Sequence, residues 1–466
     1  MTPDPIETDY LIVGAGAAGM AFADTLLTET HARIVMVDRH HRPGGHWNDA
    51  YPFVRLHQPS AYYGVNSREL SHGTKDAVGW NKGLYDLAGG AEVLGYFDQL
   101  MQQRFLPSGR VKYFPMSNFT SDDCFESVLT GQHRHIKVHK KIVDATYSAT
   151  AVPSTHPPKY AVASGVRLVP VNDLPKVAQA HSAYLVVGSG KTGIDACLWL
   201  LEQGVDPERI SWIMPRDAWL LDRRLVQPDD EFFFSSLGSV ARQFEAVIAA
   251  QNLPDLFDRL EANGDLLRID RNARPTVYRC ATVSQEELLQ LRRVKNVVRL
   301  GHVRAVEATR VVLEHGEMSL SPSTLVVDCS ANAIPQRPLI PIWAGKHMTL
   351  QMVRTCQPTF SAAFIGHIEA TFFDDGEKNA LCSPVPSPYL DIDWLRMLAV
   401  SVKNSFAWSQ HPGIEQWLEQ SRLDRFWAST RNVKPEDSKK VEVLQRYRSA
   451  VRPAMAKLPQ LLESVG

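Results

Sequence analysis

Two segments of the chain repeat one order of apolar runs and small residues. In the first, Tyr10 to Val13 is a short apolar run that predicts a strand. A turn carrying Gly14, Gly16 and Gly19 follows, small and apolar residues from Ala17 to about Leu27 predict a helix, and Arg33 to Val37 predicts a second strand ending at Asp38. In the second, Ala183 to Val187 leads into Gly188, Gly190 and Gly193, then a helix to about Gln203 that Gly204 can cap, then a strand from Ile210 to Met214 before Pro215 and Arg216. Strand, helix and strand in this order predict parallel sheets of α/β type. Elsewhere Ala91 to Phe105 and Val240 to Ala250 have helical periodicity, and Ser284 to Arg293 reads as a helix capped by Ser284 with Glu287 three residues on. Val111 to Ala145 and Val297 to Leu313 alternate as strands, Leu325 to Cys329 reads as a buried strand, and Gly64 to Gly90 is turn-rich. Pro153 to Pro175 is Pro-punctuated and reads as a linker. From Asp391 the pattern is helical and tryptophan-rich, with Trp394, Trp408, Trp417 and Trp427.

The glycine spacing gives the first segment a chemical meaning. In G-x-G-x-x-G, Gly14 permits the tight turn, Gly16 lets a pyrophosphate approach the backbone, and Gly19 lets helix and strand pack closely. The N–H groups at the helix start, around Ala17 and Ala18, can hold phosphate oxygens. Asp38, with Arg39 beside it, ends the second strand where a ribose hydroxyl can be bound. The segment therefore predicts an adenine dinucleotide site.

Composition narrows the class further. The 466 residues suffice for two or three domains, and 50 basic against 51 acidic residues suggest neither nucleic acid nor an anionic membrane as partner. Leu11 to Ala23 is mostly apolar but glycine-interrupted and too short to span a bilayer, and the start MTPDPIETD has no basic leader, so a cytoplasmic protein is expected. Six scattered cysteines, with no C-x-x-C and no close pair, predict reduced thiols and argue against a disulfide reductase. His133, His135 and His139 share a strand face, but Arg134, Lys137, Lys140 and Lys141 surround them, and no metal is expected.

The stretch after Asp38 has the form acid, spacer, Gly44-Gly45-x-Trp47, and then Tyr51-Pro52-Phe53-Val54-Arg55-Leu56-His57-Gln58-Pro59-Ser60. These residues resemble the flavin-containing monooxygenases, a class B flavoprotein family with two dinucleotide-binding domains. The resemblance covers roughly the first 220 residues well. It implies FAD as the first ligand, with Gly45, Trp47, His57 and Gln58 lying against it. Lys141 to Thr146 occupies the place of the family's strand ending in A-T-G, but the glycine is missing. The F-x-G-x-x-x-H signature of the Baeyer–Villiger enzymes is absent, which points away from lactone or ester formation. At position 57 the family has asparagine, or aspartate in the Baeyer–Villiger group. The imidazole of His57 can donate a hydrogen bond to a peroxide and titrates near neutral pH, so His57 is the candidate catalytic residue.

A second glycine turn in a flavoprotein implies the nicotinamide dinucleotide that reduces the flavin. Gly188, Ser189, Gly190, Lys191, Thr192 and Gly193 are its candidate ligands. Gly190-Lys191-Thr192 ends like a P-loop, but Leu185 stands where that motif needs a glycine. Arg216, where an NAD site usually shows an acid, favours NADPH, with NADH the alternative. In the resemblance a later strand brings a glycine back to the flavin, which makes Gly366, with His367, a candidate neighbour. The expected architecture is an FAD-binding domain opened by residues 1–180, an inserted NAD(P)-binding domain 181–330, a return segment 331–390 that completes the FAD-binding domain, and a C-terminal helical region 391–466. The implied function is an oxidoreductase, a monooxygenase in which a flavin C4a-hydroperoxide passes one atom of molecular oxygen to a small substrate. Two alternatives stand beside it: a reductase, dehydrogenase or oxidase moving hydride without oxygen insertion, and a non-catalytic nucleotide-binding protein. Aromatics at Tyr51, Phe53, Tyr62, Tyr63 and Phe232 to Phe234 point to an apolar or aromatic substrate, though core packing explains most of them equally well.

Overall fold

The computed structural model describes residues 5–331, 335–425, 430 and 433–463. Strand Ile6–Val13 lies in the middle of an eight-stranded sheet, parallel to Ile34–Val37 on one side and to His133–Asp144 on the other. Val111–Phe114 extends the sheet beyond Ile34–Val37, and His347–Thr349 with Trp343–Ala344 extends it beyond His133–Asp144. Residues 343–349 thus rejoin the first sheet after a long excursion. The excursion holds a five-stranded parallel sheet ordered Leu168–Pro170, Thr324–Asp328, Ala183–Val187, Ile210–Ile213, Asn296–Val298. All the residues of Thr324–Asp328 are buried, as the apolar run LVVDC suggests, and this strand completes the second sheet. Leu168–Pro170 lies inside the stretch read as a linker. It forms the edge strand, the position a sheet leaves open to proline.

Two smaller sheets complete the excursion. Ala218–Asp222 pairs with Val277–Val283 and Leu266–Leu267, and Arg310–Leu313 lies between Val303–Val306 and Gly316–Ser319. Helix Phe233–Ala249 packs on the long helix Ser438–Glu463. Of the three consecutive phenylalanines, Phe232 and Phe233 are buried and Phe234 is about half exposed. No described helix is long and apolar enough to cross a membrane.

The segment expected to return as a strand is a helix, Pro358–Thr371, begun by proline in its first turn, where the missing N–H costs nothing. It is buried on nearly every side and packs along Ala17–Glu29. Gly366 serves this packing: a Cβ there would come 3.0 Å from the Cβ of Thr25. Gly366 thus lies within a helix and not on the returning strand expected for it. His367 is likewise engaged elsewhere, its Nδ1 2.7 Å from Glu29 Oε2 and its ring stacked on Trp417. The run TFSAAFIG is apolar at almost every position, and such a run fits a buried strand and a buried helix equally. Trp408 also packs on this helix, through Phe364, whereas Trp394 packs against Phe257 and Trp427 lies outside the described residues.

One buried carboxylate ties the return helix to the first sheet. Glu369 accepts from the Tyr10 hydroxyl (2.8 Å), the Trp343 indole N–H (2.8 Å) and the Lys378 ammonium (2.5 Å). Both members of the Lys378–Glu369 pair are almost wholly buried. Removing one member of such a pair strands the other charge. Glu369→Ala should cost about 3–5 kcal/mol and Glu369→Gln distinctly less, read from urea unfolding followed by tryptophan fluorescence.

Candidate functional site

The two glycine turns have the same construction. Gly14 adopts φ +100° and Gly188 φ +121°, conformations that a side chain would strain. A Cβ on Gly19 would fall 2.0 Å from the carbonyl oxygen of Gly14, and one on Gly193 would fall 2.0 Å from that of Gly188. Helices Ala17–Glu29 and Lys191–Glu202 start from Gly16 and Gly190, with no side-chain cap and no acid in the first turn. Their N-terminal N–H groups, those around Ala17, Ala18, Lys191 and Thr192, therefore meet the first requirement of an anionic pyrophosphate.

Around the first turn, Asp38 is already engaged by the protein. Its Oδ2 accepts from the Ala15 N–H (2.6 Å), and its Oδ1 accepts from the His40 N–H (2.7 Å) and faces His40 Nδ1 (2.9 Å). A carboxylate has about four acceptor positions, so one is left for a ribose hydroxyl. The hydrogen bond to Asp38 raises His40 above the usual histidine range, burial opposes this, and Asp49 on the other ring nitrogen adds to it. Beside the strand end, Arg39, His40, Asp49, Asn118, Val128 and Thr155 line an open cavity of about 350 Å³. Gly45 (φ +56°) lies against Gly16 so closely that a Cβ on it would come 2.9 Å from the Gly16 Cα. Trp47 is buried, donates its indole N–H to the Tyr63 hydroxyl (2.7 Å) and stacks on His46.

His57 joins this half to the inserted one. Its Nδ1 accepts the Thr282 N–H (3.3 Å) and its carbonyl accepts from Arg223 Nε (3.2 Å). Arg223 is itself buried, ion-paired with Glu287 (2.8 Å) and hydrogen-bonded to Asn81 and the Thr282 carbonyl. Burial, with Lys191 and Arg223 nearby, holds His57 well below the usual histidine range. The expectation that this ring titrates near neutral pH is corrected. With Nδ1 accepting, the neutral ring carries its proton on Nε2. Gln58 next to it donates to the Cys356 carbonyl (3.4 Å) and accepts from Arg425 (3.5 Å).

At the second turn, Lys191 pairs with Asp195 one helical turn along, and Asp195 also accepts from the Tyr51 hydroxyl (2.6 Å), which Thr192 reaches as well. Phe53 stacks on Trp199 of the same helix. Ser189 Oγ donates to the Arg216 carbonyl (2.8 Å). The Arg216 guanidinium donates to the Tyr389 hydroxyl (2.5 Å) and lies over its ring, as does Arg279 from strand Val277–Val283. Burial, and then the neighbouring Arg216, lower Arg279 from the usual range. Sequence reading missed Arg279, Tyr389 and Arg223, because their meaning depends on partners far away in the chain. It also misjudged the thiols: Cys280 and Cys356, 76 residues apart, form a disulfide. His133, His135 and His139 lie exposed on their strand, His139 facing Glu7.

Fold and turns together define a protein with the architecture of the class B flavin monooxygenases. Residues 12–66 match the NAD(P)-binding Rossmann-like domain. The solved polycyclic ketone monooxygenase from the thermophilic fungus Thermothelomyces thermophila has the same fold, with a TM-score of 0.54 across 97% of this chain and 89% of that one at 12% identity. The chain belongs to one family with the uncharacterized protein Rv2000 of Mycobacterium tuberculosis and the uncharacterized protein Mb2023 of Mycobacterium bovis. It is 52% identical to each over 419 residues, 90% of its own length and 78% of theirs.

His46 and His57 make stability depend on pH in a stated direction. Burial chiefly lowers His46 to about 4, while an unfolded histidine takes its proton near 6.5. Both rings are neutral when folded, so stability is level above pH 6.5 and falls as pH drops, through about pH 4 for His46. His46 alone should account for roughly 1–2 kcal/mol at pH 5.5. The loss of unfolding free energy between pH 7.5 and pH 5.5, read from urea titrations at each pH, should shrink by about that amount in His46→Gln.

Proposed function

We propose that this chain is an FAD-dependent oxidoreductase reduced by NADPH, and that it transfers an oxygen atom from molecular oxygen to a small organic substrate. The observation that carries the reading is the pair of uncapped helix N-termini behind two equally tight glycine turns, one in each of the two large sheets. FAD would be held by the N–H groups of Gly16, Ala17 and Ala18, by the free acceptor position of Asp38, by Arg39 beside the open cavity, and by Gly45, Trp47, His57 and Gln58. When bound, it would supply hydride acceptance from the nicotinamide and activation of oxygen. The remaining work belongs to the chain. His57, neutral and fixed through Nδ1, offers an Nε2–H whose protonation does not vary across the physiological pH range. Tyr51, Phe53 and Arg223 hold the two halves together around it.

For the nicotinamide dinucleotide, Gly190, Lys191 and Thr192 would receive the pyrophosphate. Arg216 and Arg279 would grip a 2′-phosphate, and Tyr389 between them holds two like charges together in advance. A second reading, hydride transfer without oxygen insertion, is favoured by His57 itself, which stands where the resembled family has an amide or a carboxylate.

Two measurements test these assignments. The purified protein should carry FAD in equal amount, and anaerobic NADPH should bleach it. Labelled oxygen appearing in a product then supports the first reading, and bleaching with no labelled product under any substrate supports the second. Protein that binds no flavin overturns both. Arg216→Ala and Arg279→Ala should each raise the KM for NADPH about 10- to 100-fold, the loss of a charge-assisted pair, and leave the KM for NADH within about twofold.

A further inference from the structure

One covalent link lies beside the site without belonging to either glycine turn. Cys280, in strand Val277–Val283, and Cys356, just before helix Pro358–Thr371, form a disulfide with their Cα atoms 6.4 Å apart. It ties the excursion to the segment that has rejoined the first sheet. Its surroundings are those of the site: the Cys356 carbonyl accepts from Gln58, and Thr282, two residues after Cys280, donates its N–H to His57 Nδ1. Both cysteines are partly exposed, as is the free Cys124, whereas Cys197, Cys329 and Cys382 are buried. Both also hold left-handed backbone, φ 54° and φ 55°, which residues bearing a Cβ adopt only when their surroundings hold them there.

We propose that Cys280–Cys356 is a reversible redox site whose reductant is a small-molecule dithiol. One thiolate of the reductant attacks a sulfur of the pair, breaking the S–S bond and forming a mixed disulfide. The second thiolate then closes the reductant into its own disulfide. The two electrons remain on the sulfurs of Cys280 and Cys356, and two protons complete the thiols. Opening the link lets both residues leave the left-handed region. It also releases the strand that fixes His57 and the segment that fixes Gln58 in a single event.

The test uses the full chain, folded, and needs neither cofactor nor substrate. The protein is equilibrated over graded ratios of oxidised to reduced dithiothreitol, quenched with N-ethylmaleimide and peptide-mapped by mass spectrometry, with hydrogen exchange followed at the Thr282 amide. Cys280 and Cys356 should pass from linked to alkylated together, with one midpoint, while Cys197, Cys329 and Cys382 stay unlabelled and the far-UV circular dichroism is unchanged. Reduction should speed Thr282 exchange about tenfold or more, and Cys280→Ser should show the fast rate at every ratio. The proposal is overturned if the two cysteines stay free at every ratio, if the link persists until the protein unfolds, if they react independently, or if Thr282 exchange does not respond.

Discussion

The close contact of a helix with the turn that precedes it is the constraint on which both halves rest. Gly19 and Gly193 each sit where an added Cβ would lie 2.0 Å from the carbonyl oxygen of the turn's first glycine. That contact pins each helix start to the end of its strand. A third element closes over each turn from the neighbouring parallel strand: Ala145 and Thr146 over Gly14, Cys329 over Gly188. Thr146 stands at the place where the resembled family has its A-T-G strand end, and its Cγ2 would meet a Cβ on Gly14 at 2.8 Å. The same three-way packing thus appears in both sheets with different residues.

The second determinant is how the halves are set against one another. A single short stretch does much of this. Tyr51 reaches Asp195, Phe53 stacks on Trp199, and the backbone and ring of His57 take donors from Arg223 and Thr282. The residues that resemble a flavin-facing motif are therefore also contacts between the two halves. The chemistry expected at His57 and the mutual orientation of the two sheets are coupled through the same few side chains.

What could be read from the sequence was what neighbours in the chain decide. The glycine turns and the Ser284–Glu287 capping box each depend on residues a few positions apart, and each forms as the pattern indicates. Long-range partners decided the rest. The return helix Pro358–Thr371 is apolar almost throughout, so no periodicity marks it as a helix, and Gly366 finds its reason only in Thr25. Cys280 and Cys356 pair across 76 residues, and Arg279 gains its meaning from Arg216 and Tyr389. The ordinary affinity of an imidazole for a proton gave no warning that burial, with Lys191 and Arg223 nearby, would suppress it at His57.

Glu369 and the return helix have a consequence for how the chain is made. Strand Ile6–Val13 leaves the ribosome well before helix Pro358–Thr371, and the Tyr10 hydroxyl waits for a partner 359 positions later in sequence. At ordinary elongation rates of roughly 5–20 residues per second, that wait is roughly 20–70 s. Throughout it, the apolar face of helix Ala17–Glu29 that will meet Pro358–Thr371 is uncovered, and the strand His133–Asp144 has no partner along the edge that His347–Thr349 will fill. The inserted parallel sheet can close within that interval, because its strands, residues 168–328, all precede the return. On the ribosome the last strand of the second sheet is therefore made before the last strand of the first.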